Sequence, residues 1–226
     1  MNPKQIAAER AVSYIKDGMA VGLGTRSTAA YAIASLGARI KSENLRLTCI
    51  ATSVASERLA ELEGIPLASW DSVRRLDITI DGADEVDPEF RIIKGGGGAL
   101  VREKLVAAVT SQEIIIVDDG KMKASLGAHV LPVAVIPFGW QSTRDRLEAR
   151  FNRPVSARKL PSGELFVSDD GLYVLDIAFG APLPDPDNLE AEIKCVVGVV
   201  EVGLFIGLCH RVIVGYADGR LEEKVR

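Results

Sequence analysis

The sequence predicts an α/β fold with two parts: a doubly wound domain built on a mostly parallel sheet, and a smaller inserted α+β domain. In the first half, short apolar stretches alternate with amphipathic stretches of about three helical turns, which is typical of parallel strands covered by helices on both faces. From about residue 126 the order becomes strand–helix–strand–strand–helix–strand (βαββαβ), a ferredoxin-like arrangement. The apolar stretch 211–219 predicts one more buried strand, which would rejoin the first sheet.

Each predicted element follows from its apolar pattern and its end signals. Pro3 opens a helix over 3–17 and Gly18 ends it. The other elements of the first half are strand 19–24, helix 27–36, strand 47–52, helix 53–64, strands 65–69 and 76–81, helix 98–109 and strand 113–119. The second half gives strand 131–138, helix 142–151, strands 155–160 and 172–179, helix 187–198 and strand 199–207. We therefore predict a Rossmann-like domain over 1–125 and 208–226, and a ferredoxin-like domain over 126–207.

Composition and charge exclude several classes of protein. The chain of 226 residues is 47% hydrophobic and 26% charged, which is an ordinary globular balance. Its net charge of −4 argues against nucleic acid as a partner, and no apolar run approaches the ~20 residues of a membrane span. Cys49, Cys195 and Cys209 lie in apolar stretches without CxxC spacing, so we expect buried thiols in a reducing, cytoplasmic protein. His129 and His210 are the only histidines, which excludes a His-rich metal site.

The first candidate stretch is GLGTRST (22–28), between a predicted strand and a predicted helix. Ligands of a parallel α/β sheet bind where its strands end, and glycines followed by Ser or Thr at a helix start favour an anion there. The dinucleotide fingerprint GxGxxG would need a third glycine where this chain has Ser27. The alternative interpretation is a tight turn in which Ser27 caps the helix.

The second stretch, DGADEVD (81–87), holds four carboxylates directly after an apolar strand. A solvated acidic turn is the simpler interpretation. However, Asp81 ends a mostly apolar strand. A carboxylate in such a position indicates a functional role, in which it bonds to ligand hydroxyls or has an altered pKa. A divalent metal site would need further clustered ligands, which the sequence does not supply nearby.

The third and fourth stretches add cations and a further carboxylate. In KGGGGALVREKL (94–105), four consecutive glycines precede a helix, with Lys94 beside them and Glu103 about one turn into the helix. Such a run loses much conformational entropy on folding, so its presence indicates that the backbone must approach another group closely. A flexible hinge is the alternative interpretation. In VDDGK (117–121), Lys121 follows a strand end, where a solvated surface lysine is the simpler interpretation.

Taken together, these residues suit a phosphorylated, hydroxyl-rich anion and proton transfer at a carbon next to a carbonyl. A carboxylate would remove the proton, and cations and backbone N–H groups would stabilise the enediolate that forms. The residues alone leave the substrate open.

The chain resembles the type A ribose-5-phosphate isomerase family, from about Lys4 to Gly219. The most specific matches are DGADEVD and the following IIKGGGGALVREK, with the spacing of Asp81, Asp84, Lys94 and Glu103. The resemblance implies interconversion of D-ribose 5-phosphate and D-ribulose 5-phosphate in the non-oxidative pentose phosphate pathway, with no metal and no cofactor. It also implies an α/β domain plus a ferredoxin-like domain, in a homodimer or, alternatively, a tetramer.

The resemblance also implies roles for individual residues. Glu103 would be the general base that moves a proton between C2 and C1 through a cis-enediol. Asp81 and Asp84 would bind the sugar oxygens and assist ring opening and proton movement on O1 and O2, and Lys94 would offset the enediolate charge. The phosphate would be held by Thr25, Ser27, Thr28 and Lys121, with Lys4 in addition. The remaining substrate-binding candidates are Arg26, Gly82, Ala83, Gly95, Gly96 and Gly97.

Two positions depart from the family pattern. The family loop commonly reads GTGST, whereas this chain has Arg26 at the middle position. If that position needs a positive φ, arginine costs about 1 kcal/mol relative to glycine; alternatively, Arg26 adds a cation beside the phosphate. Asp119 and Gly120 stand before Lys121 where the family often has Glu-Ser, so the local turn is expected to differ.

Three other functions compete with the isomerase. A non-catalytic sugar-phosphate sensor, of the kind found in some transcriptional repressors, is disfavoured by the negative charge, the lack of a helix-turn-helix extension and the presence of Glu103. An aminosugar-phosphate deaminase or a phosphosugar lactonase would use histidine more prominently, and neither histidine lies in the four stretches. A nicotinamide-dependent oxidoreductase is disfavoured by the incomplete glycine fingerprint.

Overall fold

A computed structural model describes residues 2–226 and divides them into two compact units. The first unit comprises the chain up to Ala83, Arg102–Met122 and Leu208–Arg226; the second comprises Asp84–Val101 and Lys123–Gly207. The helices are α1 Pro3–Val12, α2 Arg26–Glu43, α3 Val54–Glu63, α4 Leu100–Ala108, α5 Trp140–Phe151 and α6 Pro186–Lys194. The strands are β1 Ala20–Leu23, β2 Thr48–Ala51, β3 Leu76–Asp81, β4 Glu85–Val86, β5 Ile92–Ile93, β6 Thr110–Asp118, β7 Leu131–Val135, β8 Val155–Ala157, β9 Tyr173–Ile177, β10 Val199–Val202, β11 Leu204–Phe205, β12 Arg211–Gly215 and β13 Leu221–Val225.

The first unit is built on a mostly parallel sheet with helices on both faces. Its strand order is β13-β12-β6-β3-β1-β2, and every neighbouring pair is parallel except β12 and β13. Val21 and Leu23 point into a core shared with α1, α2 and α3, whereas the intervening Gly22 lies against Val106 of α4. Because successive residues of a strand face opposite ways, the two sets of helices cover opposite faces. The predicted doubly wound α/β architecture is confirmed, including the return of residues 211–215 to this sheet.

The second unit contains the predicted ferredoxin-like fold. Its four antiparallel strands have the order β10-β7-β9-β8, and the chain runs β7-α5-β8-β9-α6-β10. Strands β4 and β5 belong to a further small sheet with β11. The structure therefore groups residues 84–101 with the second unit, whereas the sequence places them in the first domain.

Several predicted elements need correction. Residues 65–69 do not form a strand but make one bridge, from Leu67 to Cys49, because Pro66 lacks the N–H that a longer ladder requires. The predicted strand 199–207 divides at Gly203 into β10 and β11, which pair in different sheets. The helix predicted over 3–17 ends at Val12, and the helix predicted over 27–36 extends over 26–43.

Two further expectations can be compared with the structure. Cys49 and Cys209 are buried as predicted, but Cys195 is exposed because it follows the last residue of α6 at the surface. Burial raises the pKa of the Cys49 thiol to about 12, which makes it a poor nucleophile at neutral pH. Within residues 2–226, each helix is too short or too polar to cross a lipid bilayer.

Candidate active site

The start of α2 in the first unit differs from the starts of its neighbouring helices. The side chain of Asn2 accepts the N–H of Lys4 at α1, and the side chain of Ser53 accepts the N–H of Ser56 at α3. At α2 the side chain of the cap residue Thr25 makes no such bond, and the first turn, like that of α1, carries no acidic residue. A helix start of this kind directs backbone N–H groups and the positive end of the helix dipole towards an anion.

The hydroxyl of Thr25 faces the protein interior. Its Oγ1 lies 2.7 Å from Oγ1 of Thr52, 2.9 Å from Oγ of Ser53 and 3.3 Å from Oγ of Ser56. Ser56 in turn donates to the carbonyl of Gly24 at 2.6 Å. This hydroxyl cluster (Thr25, Thr52, Ser53 and Ser56) fixes the loop before α2. Our sequence reasoning missed its last three members, although polar residues at the end of a predicted strand were a usable signal.

Asp81 lies where the sequence predicts, as the last residue of β3, and is 0% exposed. Its Oδ1 accepts the N–H of Thr25 at 3.0 Å and the N–H of Gly82 at 2.7 Å. Gly24 is required for this approach, because a Cβ there would lie 2.5 Å from the Cα of Asp81. The carboxylate is thus held in place by two backbone donors, which fix its direction.

The other phosphate candidates of the first unit lie around the same helix start or at the end of β6. Lys4 donates to Oγ of Ser27 at 3.3 Å, and its Nζ lies 3.9 Å from Oδ2 of Asp118. Thr28 lies beside Gly82, since a Cβ at Gly82 would be 3.9 Å from the Thr28 hydroxyl. Lys121 ends a short 3-10 turn, Asp119–Lys121, that directly follows β6.

Arg26 is exposed and has a φ of +76°, so this position does take the backbone conformation that favours glycine. The departure from the family loop therefore carries a conformational cost of about 1 kcal/mol.

Glu103 is the buried carboxylate of the first turn of α4 and is 4% exposed. Removing a carboxylate from water is unfavourable unless its charge is stabilised, so acidic residues are rarely buried to this extent. A position near a helix N-terminus supplies part of that stabilisation through the helix dipole.

Two of the four acidic residues in 81–87 have structural roles in the second unit. Glu85 accepts the N–H of Gly127 at 2.7 Å and the N–H of His129 at 2.5 Å. Asp87 accepts the N–H of Arg91 at 2.9 Å and pairs with its guanidinium at 2.6 Å. These contacts explain both carboxylates without a ligand.

Asp84 has different partners. Its N–H donates to the carbonyl of Ile93 at 2.8 Å, and its Oδ2 accepts the N–H of Gly96 at 2.7 Å. The structure therefore brings Asp84 to the glycine run, as the order of the two motifs in the sequence suggests.

Lys94 is 2% exposed and follows β5 directly. Its N–H donates to the carbonyl of Gly203 at 2.8 Å, which is the residue that separates β10 from β11. Its ammonium lies 5.7 Å from the centre of the Phe205 ring, within the range of a cation–π interaction. A buried cation on an aromatic face is held in a low-dielectric setting, where its charge acts strongly on a nearby anion.

The glycine run is a packed turn rather than the hinge that sequence alone leaves open. Gly95 and Gly98 have φ of +97° and +86°, and the N–H of Gly98 donates to the carbonyl of Gly95 at 2.9 Å. A Cβ at Gly98 would lie 2.3 Å from the ring of Phe166. Arg158, which our sequence reasoning missed, donates to the carbonyl of Gly95 at 2.7 Å.

A comparison with known protein families decides which family this chain belongs to. The model of the family described as ribose 5-phosphate isomerase A (phosphoriboisomerase A) matches residues 48–219. The chain belongs to the ribose 5-phosphate isomerase A family. It is therefore an isomerase, as the resemblance in the sequence indicates.

Relatives within the ribose 5-phosphate isomerase A family cover nearly the whole chain. The ribose-5-phosphate isomerase A of Gloeobacter violaceus is 50% identical over 218 residues, which are 96% of this chain and 93% of the relative. The ribose 5-phosphate isomerase structure from Plasmodium falciparum has a TM-score of 0.95 at 36% identity, covering 99% of this chain and 97% of that one. A D-ribose-5-phosphate isomerase solved in complex with phospho-erythronic acid has a TM-score of 0.94 at 35% identity, with 100% of both chains covered.

Proposed function

We propose that the chain interconverts D-ribose 5-phosphate and D-ribulose 5-phosphate through a cis-enediolate, in the non-oxidative pentose phosphate pathway. The observation that carries this proposal is the burial of Glu103 in the first turn of α4, directly after the four-glycine run, in a member of this family. A carboxylate in this setting is suited to take a proton from carbon, because water does not compete for its oxygens.

In the proposed reaction, the Glu103 carboxylate removes the proton from C2 of the open-chain aldose. The electron pair of the C–H bond forms the C1–C2 double bond, and the aldehyde oxygen O1 takes up the negative charge. Return of the proton from Glu103 to C1, with transfer of the O2 proton to O1, gives the ketose. Asp81 and Asp84 bind the sugar oxygens and assist these hydroxyl proton movements, and Lys94 offsets the enediolate charge. The backbone of the glycine run (Gly95, Gly96 and Gly97), together with Gly82 and Ala83, helps to hold the sugar.

We propose that the phosphate binds at the start of α2. Support comes from the Thr25 side chain, which does not cap this helix start, and from Lys4 beside Ser27. Ser27 and Thr28 donate hydroxyls, and Arg26 and Lys121 add cations. Thr25 contributes by fixing the loop, since its N–H bonds to Asp81 and its hydroxyl takes part in the interior cluster.

A four-carbon acid phosphate is a suitable probe of this proposal. The planar, negatively charged carboxylate of phospho-erythronic acid resembles an enediolate in shape and charge, and a related isomerase was solved with this compound. We expect it to inhibit this chain competitively with ribose 5-phosphate.

The resemblance supports three further proposals: the reaction needs no metal or cofactor, the protein is cytoplasmic, and it is a homodimer. The first is tested directly by chelation.

The deciding experiment measures conversion of ribose 5-phosphate to ribulose 5-phosphate in excess EDTA, for the wild type, Glu103→Gln and the control Glu57→Gln. Glu57 lies on α3, where it pairs with Arg102 at 3.5 Å and is half-exposed. We expect activity that resists EDTA, a loss of about 100-fold or more in Glu103→Gln, and little change in the control. Binding of the sugar phosphate without turnover by the wild type would instead indicate a sensor, and loss of activity in EDTA would contradict the metal-free reaction.

A further inference from the structure

One peptide group of the glycine run is held at both of its polar ends. The carbonyl of Gly95 accepts from Nη1 of Arg158 at 2.7 Å, and the N–H of Gly96, on the same peptide group, donates to Oδ2 of Asp84 at 2.7 Å. Because the C=O and N–H of a trans peptide point in opposite directions, this peptide lies between the guanidinium and the carboxylate.

The Arg158 side chain is itself fixed. Its Nε and Nη2 donate to the two carboxylate oxygens of Asp176, with the Nε bond at 2.9 Å, and both side chains are 15% exposed. Nη1 also lies 3.3 Å from the carbonyl of Gly96, and the guanidinium carbon lies 5.9 Å from the centre of the Phe166 ring. A planar guanidinium can hold a carboxylate with one edge while it donates to carbonyls with its remaining N–H groups, which an ammonium cannot reproduce.

We propose that Arg158 is a positioning residue for the isomerisation and acts on Asp84 through the Gly95–Gly96 peptide. The inference rests on the proposed function, in which Asp84 binds the sugar oxygens. The guanidinium charge polarises the peptide, so that its N–H becomes a stronger donor to the Asp84 carboxylate.

Arg158 also prevents rotation of this peptide. A peptide group between two glycines turns over with little steric resistance, since neither side carries a Cβ. Such a rotation would place the Gly95 carbonyl oxygen, instead of the Gly96 N–H, towards the Asp84 carboxylate and would repel it. With its carbonyl bound to Arg158, in addition to the N–H of Gly98 at 2.9 Å, the peptide keeps its N–H directed at Asp84.

The first test compares Arg158→Lys with the control Arg144→Lys, using kcat and KM for ribose 5-phosphate. Arg144 lies on α5 and pairs with its neighbour Asp145, away from the glycine run in sequence. We expect kcat to fall by about 30-fold in Arg158→Lys while KM changes by less than about threefold, because the substrate's phosphate contacts are unaffected. A kcat within twofold of the control would overturn the inference.

The second test asks whether Arg158 acts through Asp84, by introducing Arg158→Lys into an Asp84→Asn background. We expect the loss from Arg158→Lys to shrink to within about twofold there, since the two residues act on one step. An undiminished loss in that background would show that Arg158 does not act through Asp84.

The two proposals fail in different ways. If Asp84→Asn alone leaves kcat unchanged, the role of Asp84 in the proposed function is wrong; if it lowers kcat while Arg158→Lys does not, only the present inference is wrong.

Should Arg158→Lys fold poorly by circular dichroism, the double variant Arg158→Met with Asp176→Leu removes the whole ion pair and avoids an unpaired buried charge. That variant should show the same loss of kcat, and wild-type kcat in it would refute the inference.

Discussion

The loop before α2 and the glycine run use glycine for different physical reasons. In the loop before α2, Gly24 avoids a clash with the backbone of Asp81, while the position with positive φ is occupied by Arg26. In the glycine run, Gly95 and Gly98 both adopt positive φ, and Gly98 also lies against the Phe166 ring.

This difference shows why a glycine pattern by itself does not define a site. In the first loop the essential property is the close approach of Gly24 to the backbone of Asp81, which lets the N–H of Thr25 bond to the buried Asp81 carboxylate. In the second it is the dihedral angle, which turns the chain so that one peptide faces Asp84. The two properties predict different responses to the same substitution.

The largest effect should come from Gly24→Ala. The new Cβ would lie 2.5 Å from the Cα and 2.3 Å from Oδ1 of Asp81, so β1 and β3 must move apart or Asp81 must leave its position. We expect kcat/KM to fall by about 100-fold or more, and the free energy of unfolding, measured in urea, to fall by about 3 kcal/mol. A variant with wild-type activity would show that the approach of the loop to Asp81 is not needed.

An intermediate effect is expected for Gly98→Ala, with Gly163→Ala as its matched control. Gly163 has a similar φ of +90° but open space around its Cα, so alanine there adds backbone strain alone, about 1 kcal/mol. Gly98→Ala adds the clash with Phe166, so we expect stability in urea to fall by about 3 kcal/mol and kcat/KM to fall about tenfold. Adding Phe166→Leu should recover part of the difference; equal effects of Gly98→Ala and Gly163→Ala would mean that the ring is unimportant.

The smallest effect should come from Arg26→Gly, compared with Arg26→Asn. Both variants remove the cation and both tolerate a φ of +76° better than arginine, so each should gain up to about 1 kcal/mol of stability. Because neither variant can make the proposed ionic interaction with the phosphate, we expect KM for ribose 5-phosphate to rise about threefold with kcat nearly unchanged. Unchanged KM values in both variants would exclude a role for Arg26 in binding the phosphate.

Much of the fold could be predicted because its strands are apolar and its helices have clear end signals. Residues 76–81 form a strand with the predicted bounds, and the expected place of Asp81 at its end is confirmed. The predicted βαββαβ order is also confirmed, since each of its strands packs one apolar face on the same core. The two-residue strands β4 and β5 were missed, because two residues cannot show a periodic pattern, and β11 was predicted only as the end of the strand 199–207.

The candidate site could be predicted only where its residues lie in motifs that match the family. Asp84 and Gly96 were both expected in the substrate site on that ground, but the bond between them was not predicted. Arg158 reaches the carbonyl of Gly95 across 63 positions of sequence, and a bond from a side chain to a distant backbone leaves no local pattern. The positive φ of Arg26 was expected only from the family loop, since arginine itself gives no sign of it.

Strand β13 has a consequence for how this protein behaves at high concentration. Its sequence, LEEKV, pairs antiparallel with β12 and covers the open edge of a strand whose Val212, Ile213 and Val214 are buried. An uncovered apolar edge offers unpaired N–H and C=O groups to other chains and is a common start of aggregation, whereas a strand rich in Glu and Lys repels such pairing. Strand β13 therefore protects this edge of the sheet from adding strands of neighbouring molecules.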